Sequence, residues 1–411
     1  MTYQQALTLL YEQLPMYQRE GKRAYKADLS NTIALLDFLD NPQDSYPSIH
    51  IAGTNGKGTC AHTLAAILQL AGKKTGLYTS PHLKNFTERI KINGQEVEKD
   101  FVASFVDKVE TVIQEIRPSF FELTVAMAFE YFSKTAVDVA VVETGLGGRL
   151  DSTNVLASPI LSVITTIGFD HVDLLGNTLE LIANEKAGII KKQRPVVVGS
   201  YDVQTFPVFK KKAEENQSKL ILSSQKAIAN REELTYQKRL NYETIRASTE
   251  ELRKQGFKIS EAHFQEGIRN AENITGLKGR FQRLSEFPLI VADISHNTEG
   301  IKELMKAING ILLARKNSTL HVLFGTVQDK DLNPILAVLP KTCQLYITTS
   351  TVPRAKPVEQ VLDHCKSLGI QVAGNFENVN QGIALLKKKM KKEDVLIITG
   401  STFLVAEVDD L

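Results

Sequence analysis

The chain has 411 residues, 43% of them hydrophobic, with 49 basic against 47 acidic side chains and a formal net charge of +2. That length and composition suffice for large buried cores in two or three domains, and the near-balanced charge excludes a global field that would hold nucleic acid or an anionic membrane. Cys60, Cys343 and Cys365 are scattered and odd in number, no apolar stretch reaches the ~20 residues of a membrane span, and the amino-terminal segment is polar by its fourth residue; these features speak against a disulfide framework, a membrane anchor and a secretory signal, and fit a reducing cytoplasm.

In chain order, the short apolar run at 49–52 predicts a strand, and the apolar periodicity at 60–71, stopped by Gly72, predicts a helix. Between them lies Gly53-Thr54-Asn55-Gly56-Lys57-Gly58-Thr59, which reads as a nucleotide-phosphate loop. Unpaired N–H groups and the dipole at a helix N-terminus favour an anion. The glycines let backbone wrap around it, Lys57 supplies a point charge, and the Thr59 hydroxyl can ligate Mg²⁺. The spacing is not that of the general motif G-x-x-x-x-G-K-[ST], because Ile51 occupies the first glycine position and the hydroxyl residue follows Lys57 by two places.

Strands at 75–79, 137–142, 160–166 and 196–199 alternate with helices at 120–132 and 178–190, which predicts a largely parallel, doubly wound sheet. From 206 to about 271, lysine- and glutamate-rich segments with helical spacing predict peripheral helices. A second series follows, with strands at 289–293, 320–324, 345–349 and 395–399 and helices at 299–308 and 357–368. Gly276 and Gly279 bracket the boundary. The expected fold is α/β: a P-loop-type doubly wound domain over 1–278 and a smaller Rossmann-like α/β domain over 279–411.

Ligands of open α/β sheets bind at the carboxyl ends of the strands. Glu143 ends the strand at 137–142 and is a candidate Mg²⁺ ligand, followed by a glycine-rich run at 144–149. His171 follows the strand at 160–166 and is a further candidate ligand. Ser80, after the strand at 75–79, reads equally as a cation ligand or a turn residue. Lys186, taken alone, reads as an ordinary surface lysine. In the second domain, Asp293 could accept ribose hydroxyls and Arg280 could reach polyphosphate, with solvated loop residues as the competing reading.

These residues resemble the folylpolyglutamate synthase and dihydrofolate synthase family of the Mur ligase superfamily. The motifs are Gly53 to Thr59, Thr79-Ser80-Pro81-His82-Leu83, the segment from Glu143 to Asn154, Asp170-His171, Glu185-Lys186-Ala187-Gly188-Ile189, Gly279-Arg280-Phe281 and Asp293-Ile294-Ser295-His296-Asn297. They run in the family's order over nearly the whole chain. The combination is specific where each motif alone is weak.

The resemblance implies an ATP-dependent ligase that joins the amine of L-glutamate to a carboxylate of dihydropteroate, a reduced folate or both, through an acyl phosphate. ATP and two Mg²⁺ ions are the implied cofactors, and the first domain becomes an ATPase domain. The implied metal ligands are Thr59, Ser80, Glu143 and His171, with Lys186 carbamylated to support the second ion. Lys57, His171 and Lys186 are the implied catalytic groups. Gly53, Thr54, Asn55, Gly56, Lys57, Gly58 and Thr59, together with Asn241, Arg280 and Asp293, would bind ATP. Asp28, Leu29, Arg89, His296 and Ser401 fall on the substrate side, with the pterin between the loop at 28–30 and the loop after Ser80. The expected state is a cytoplasmic monomer acting on small molecules, with neither nucleic acid nor membrane as partner. Two alternatives accompany this expectation: a ligase restricted to one acceptor, and a non-catalytic ATP-dependent binding module. Retention of Lys57, Glu143, His171 and Lys186 together speaks against the second.

Overall fold

A computed structural model describes residues 1–16, 28–224, 236–315 and 317–411. The chain divides into two compact units, Met1–Leu277 and Lys278–Leu411.

The first unit is built on eight strands: β1 (Ser48–Ala52), β2 (Thr75–Tyr78), β3 (Ile90–Ile92), β4 (Gln95–Glu96), β5 (Val139–Glu143), β6 (Leu161–Ile164), β7 (Val196–Val198) and β8 (Leu220–Leu222). Their order across the sheet is β4-β3-β2-β5-β1-β6-β7-β8. The sheet is parallel from β2 to β8, and β3 and β4 add antiparallel pairs at one side. The antiparallel pair and β8 went unpredicted, being too short for a periodic signal. β1 lies between β5 and β6, so the chain leaves it beside the crevice where open sheets take ligands.

Side chains alternate between the faces of a strand. On one face Ile49, Ile51, Val139, Val141, Leu161 and Val163 pack under the helices α1 (Lys57–Leu70), α2 (Tyr236–Lys254) and α3 (Glu261–Thr275), through Leu64, Leu68, Ile245, Leu252 and Phe264. Each large aliphatic side chain buried this way contributes about 1.5–3 kcal/mol. The lysine- and glutamate-rich segments are therefore not peripheral over α2 and α3. Their polar residues dominated the composition, while the narrow apolar stripe forms one layer of the core. Helix α1 starts at Lys57, three residues before its apolar periodicity. The opposite face is covered partly by the helix Phe120–Lys134, through Leu123 and Met127, and partly by the helix Leu179–Ala187, through Ala183 and Ala187.

The second unit holds a six-stranded sheet: β9 (Gln282–Glu286), β10 (Leu289–Ala292), β11 (Leu320–Phe324), β12 (Gln344–Ile347), β13 (Gly374–Asn375) and β14 (Val395–Thr399), in the order β13-β12-β11-β14-β10-β9. All pairs are parallel except β9 with β10. The core holds Val291, Val322, Phe324, Ile347 and Ile397 against Ile301, Leu304 and Ile308 of the helix Thr298–Ala314.

Helices α1 and α3 touch backbone to backbone. A Cβ on Gly267 would lie 2.4 Å from Ile67 Cγ1 and 3.2 Å from Ile67 Cα. Gly267→Ala is expected to lower the unfolding free energy by about 1–3 kcal/mol, the cost of overpacking, despite alanine's better helix propensity. Urea unfolding followed by circular dichroism measures it, and an unchanged or raised midpoint would show that the helices separate freely.

Candidate active site

The loop after β1 is held open by two glycines. Gly53 has φ +153°, and a Cβ there would fall 1.9 Å from Thr165 Oγ1; Gly56 has φ +87°, and its Cβ would fall 2.3 Å from Asn241 Oδ1. Chain emerging from β6 pins the loop laterally. The Thr54 N–H donates to the Thr166 carbonyl (2.7 Å), the Thr54 hydroxyl to the Gly168 carbonyl (3.0 Å), and the Thr165 and Thr166 hydroxyls to the Asn55 carbonyl (2.8 and 3.0 Å). Gly56 caps α1, whose first residues are Lys57, Gly58 and Thr59. The misspaced motif thus forms a turn ending on a helix N-terminus, the arrangement that attracts phosphate.

Two cations converge on this loop. Lys57 Nζ turns back to donate to the Gly53 and Thr54 carbonyls (3.0 and 3.2 Å), and Lys186 Nζ donates to the same Gly53 carbonyl at 2.9 Å. Lys186 is only 3% exposed, so its reading as a surface lysine is overturned. Its helix Leu179–Ala187 has too weak an amphipathic pattern to reveal which residues face inward. Burial, reinforced by the Lys57 charge, pushes the Lys186 amine down to about 7, against smaller opposing pulls from Asp170, Asp151 and Glu185.

Glu143 is the last residue of β5, aligned with Ile51 on β1, and is buried. Its Oε2 accepts the Ser80 N–H at 3.3 Å, which joins the loops after β2 and β5. His171, with φ +49°, opens the short helix Val172–Leu175; its N–H donates to Asp170 Oδ1 at 3.0 Å and its ring stands partly exposed. Among the described residues no group of three or more His, Cys, Asp or Glu side chains is arranged to hold a metal ion. The donors present are one carboxylate and the hydroxyls of Thr59 and Ser80, with His171 nearby in sequence after β6. Such a sparse oxygen-rich set fits Mg²⁺, which keeps water and substrate phosphates as ligands.

The glycine-rich loop after Glu143 lies directly on the end of the lysine's helix. A Cβ on Gly148 would meet the Glu185 carbonyl at 2.7 Å, and one on Gly188 would meet Arg149 Cα at 2.4 Å. The Arg149 N–H donates to the Glu185 carbonyl (2.7 Å), and the Arg149 side chain pairs with the Glu185 carboxylate (2.9 Å). Asn154 Nδ2 donates to the carbonyls of Arg149 (2.9 Å) and Gly188 (3.2 Å). The Asp151 carboxylate accepts N–H groups from Leu146 (2.7 Å) and Thr153 (3.0 Å), and Thr153 Oγ1 lies 2.8 Å from His50 Nε2. Sequence reasoning missed His50, Asp151 and Thr153 as working residues. The available signal was a lone polar side chain in the apolar run at 49–52.

Of the remaining expected residues in the first unit, Asn241 packs on the Gly56 turn and accepts from Gln237 Nε2 at 2.8 Å. Asp28 caps the Ser30 N–H at 2.8 Å, and Leu29 precedes the helix Ser30–Phe38, which packs on the turn Ser152–Val155. Arg89, expected on the substrate side, is 2% exposed, donates its Nε–H to His82 Nδ1 at 2.7 Å, and lies 5.0 Å over the Phe120 ring. Strand β3 begins at the next residue, Ile90, and carries this position into the interior.

In the second unit, Asp293 follows β10 and spends both oxygens on backbone, accepting the Phe281 N–H (Oδ2, 2.7 Å) and the Ser295 N–H (Oδ1, 2.9 Å). Arg280 is half-buried in the turn this carboxylate holds. His296 Nδ1 meets the Ile294 carbonyl at 3.0 Å. Ser401 caps the short helix after β14 by accepting the Phe403 N–H at 3.1 Å, and Gly400 N–H donates to the Ser295 carbonyl at 3.0 Å, so the loops after β10 and β14 lie side by side.

Residues 51–281 match the family model described as the Mur ligase middle domain, and residues 279–402 match the Mur ligase, glutamate ligase domain. The chain is 33% identical to a dihydrofolate synthase/folylpolyglutamate synthase of Escherichia coli, over 87% of this chain and 85% of that protein. Among solved structures, it is similar to a bifunctional folylpolyglutamate synthase/dihydrofolate synthase of Yersinia pestis complexed with AMPPNP and Mn ion (TM-score 0.82, 27% identity, 99% of this chain and 97% of that one). It is also similar to an Escherichia coli FolC in complex with DHPP and ADP (TM-score 0.81, 29% identity, 99% and 96%).

The Lys186 amine is expected to titrate near pH 7, read from pH-dependent chemical shifts of labelled lysines. Lys57→Met removes a repelling charge and moves that midpoint upward. Because the unfolded chain binds the extra proton between about 7 and 10.5, this residue's contribution to stability grows as pH rises through that window. A Lys186 midpoint near the ordinary 10.5 would overturn the arrangement.

Proposed function

The chain belongs to the Mur ligase family, in its dihydrofolate synthase/folylpolyglutamate synthase branch, and from that membership we propose the roles of the individual residues at the candidate active site. The protein is an ATP-dependent glutamate ligase that uses a divalent metal ion. Its small-molecule substrates are a pteroate or folate acceptor, L-glutamate and the nucleotide.

The reaction has two displacements. A carboxylate oxygen of the acceptor attacks the γ-phosphorus of ATP, ADP departs, and an acyl phosphate forms. The glutamate amine then attacks the acyl carbon, loses a proton, and phosphate leaves through a tetrahedral intermediate. Both steps crowd negative charge at one place, so stabilisation by fixed positive groups is the main requirement.

The observation that carries the assignment is the convergence of Lys57 and Lys186 on the Gly53 carbonyl, with Glu143 on the neighbouring strand. Lys57 and the N–H groups of residues 53–59 bind the ATP phosphates, and Asn241, packed on the Gly56 turn, contacts the adenine. Thr59, Ser80, Glu143 and His171 would hold Mg²⁺, which would supply Lewis-acid neutralisation of the transferring phosphoryl oxygens. An amine with its pKa near 7 is substantially unprotonated at neutral pH and can attack CO₂; a carbamate N–C bond forms and a proton is released. Modified in this way, Lys186 would carry an anionic oxygen group able to hold a metal ion, where the free amine could not. This supports its role at a second ion.

Asp28 and Leu29 stand on the acceptor side. Arg89, buried against His82 and Phe120, is assigned to the same side. Arg280 and Asp293 are assigned to ATP and His296 and Ser401 to glutamate; their support is the family match and their position after the second sheet's strands. We further place the enzyme in the cytoplasm, without nucleic-acid or membrane partners, on the strength of three free cysteines and a net charge of +2, and as a monomer from the family resemblance alone. No helix among the described residues is long and apolar enough to cross a membrane.

The test supplies ATP, Mg²⁺ and glutamate with dihydropteroate or tetrahydrofolate, measuring phosphate release and product mass. Glutamate-dependent release with at least one acceptor and a mass gain of one glutamyl residue are expected. No release with either acceptor, from folded protein that binds ATP, would sink the ligase reading. Lys186→Ala is expected to lower kcat by about 10²–10³, the scale for losing one charge-stabilising group, in protein that circular dichroism shows to be folded at the assay temperature. Unchanged turnover would remove Lys186 from the mechanism.

A further inference from the structure

His50 sits in the middle of β1, fully buried, on the face opposite its apolar neighbours Ile49 and Ile51. A polar side chain buried there costs free energy unless it is hydrogen-bonded. Its partner is Thr153, with Nε2 2.8 Å from Oγ1, and the Thr153 hydroxyl lies 2.5 Å from Asp151 Oδ1.

The order of donors follows from chemistry. Burial pushes the Asp151 pKa up, and the Thr153 hydroxyl and the N–H groups accepted at both oxygens oppose that shift in favour of the ionised form, which can only accept. Thr153 has a single hydroxyl proton, and it is directed to Asp151. What Thr153 receives from His50 must therefore be an N–H. The imidazole is neutral, since burial and then the Lys191 charge push its pKa down to about 3. Nδ1 is correspondingly the bare nitrogen, and among the described residues it has no hydrogen-bond partner.

The chain of bonds ends in the loop between Glu143 and Lys186. Asp151 holds the Leu146 and Thr153 N–H groups, Lys191 Nζ donates to the Asn154 carbonyl at 2.9 Å, and Asn154 fastens the loop to Arg149 and Gly188. Gly148 rests on Lys186 itself.

We propose that His50, Thr153 and Asp151 form a one-way hydrogen-bond relay, and that His50 is a positioning residue which sets the loop 144–154 over Lys186 and Glu143 for the ligase reaction. The catalytic consequence rests on the function assigned above; the relay does not. His50 is fully buried within β1, with Thr153 as its hydrogen-bond partner. It works through the strand it shares with the phosphate loop, so the two loops are held in one register.

Two measurements test this on the full-length protein. With ¹⁵N-labelled histidine, the His50 signal, identified by its loss in His50→Gln, is expected to show the neutral Nε2–H form from pH 5.5 to 8. The Nδ1–H form, or conversion to imidazolium in that range, would overturn the relay. In steady-state kinetics, His50→Leu and Thr153→Val are each expected to lower kcat about tenfold or more with the KM for ATP within about threefold, as for a misplaced but intact site. The double variant should be no worse than the poorer single one, because both cut the same chain, and His50→Gln, whose amide N–H reaches the same point, should recover activity to within about threefold of the starting protein. Full activity in Thr153→Val, or losses that multiply in the double variant, would refute the positioning role. If His50→Leu does not fold, Thr153→Val and His50→Gln decide it. Absence of turnover in the unmodified protein would count against the ligase reading instead, and the ¹⁵N result would then judge the relay alone.

Discussion

A lysine amine enters a protein interior only where oxygen replaces its water and its charge can be shed or balanced. For Lys186 that place is the Gly53 carbonyl, which receives it at 2.9 Å and also receives Lys57 at 3.0 Å. Much of the first unit's layout serves that meeting. β1 must lie between β5 and β6, so that its loop can be pinned by Thr165 and Thr166 on one side and faced by Glu143 on the other. Gly148 and Gly188 must lack side chains, so that the helix bearing Lys186 can press against the loop from Glu143. Within the first unit, the motifs at Gly53–Thr59, Glu143–Asn154 and Glu185–Ile189 are the contact points of one cluster of backbone turns.

How much of this could be read from the sequence differs between elements. The parallel order was legible, since long apolar strands such as 139–143 and 395–399 alternate with helices at spacings that admit few topologies. The phosphate loop was legible too, because its glycines answer to local geometry. Helices α2 and α3 were misjudged, since a lysine-rich composition hides an apolar stripe that appears only when Ile245, Leu252 and Phe264 are placed on one face. Lys186 carried no local signal at all. Its burial is decided by glycines nearly forty residues earlier, and single-sequence periodicity is blind to such contacts. The burial of Arg89 carried no local signal either: it stands just ahead of a three-residue strand, and packing against His82 and Phe120 decides its environment.

The polar interior of the first unit is more organised than the hydrophobic pattern suggests. Asp151 is a buried carboxylate whose ionised form is supported by N–H donors, and similar economy recurs in the second unit, where Asp293 gives both oxygens to backbone. In each case a carboxylate after a strand shapes the loop that carries neighbouring functional groups. An aspartate in such a motif can thus be indispensable without being a ligand. Substitutions that keep the negative charge but shift its reach, such as aspartate to glutamate, would disturb several backbone bonds together.

The outermost strands of both sheets, described above only as positions in an order, have a bearing on how the protein behaves when crowded. β4 and β13 are two residues long, β8 is three, and the five-residue β9 carries Arg283 paired with Glu286 across its exposed side. Each offers a passing chain few unpaired backbone groups, or charged ones, on which to begin a new strand. A molecule built around two broad sheets therefore shows little of the templating surface from which ordered aggregates grow, and its folded form can accumulate to high concentration while its long inner strands stay out of reach.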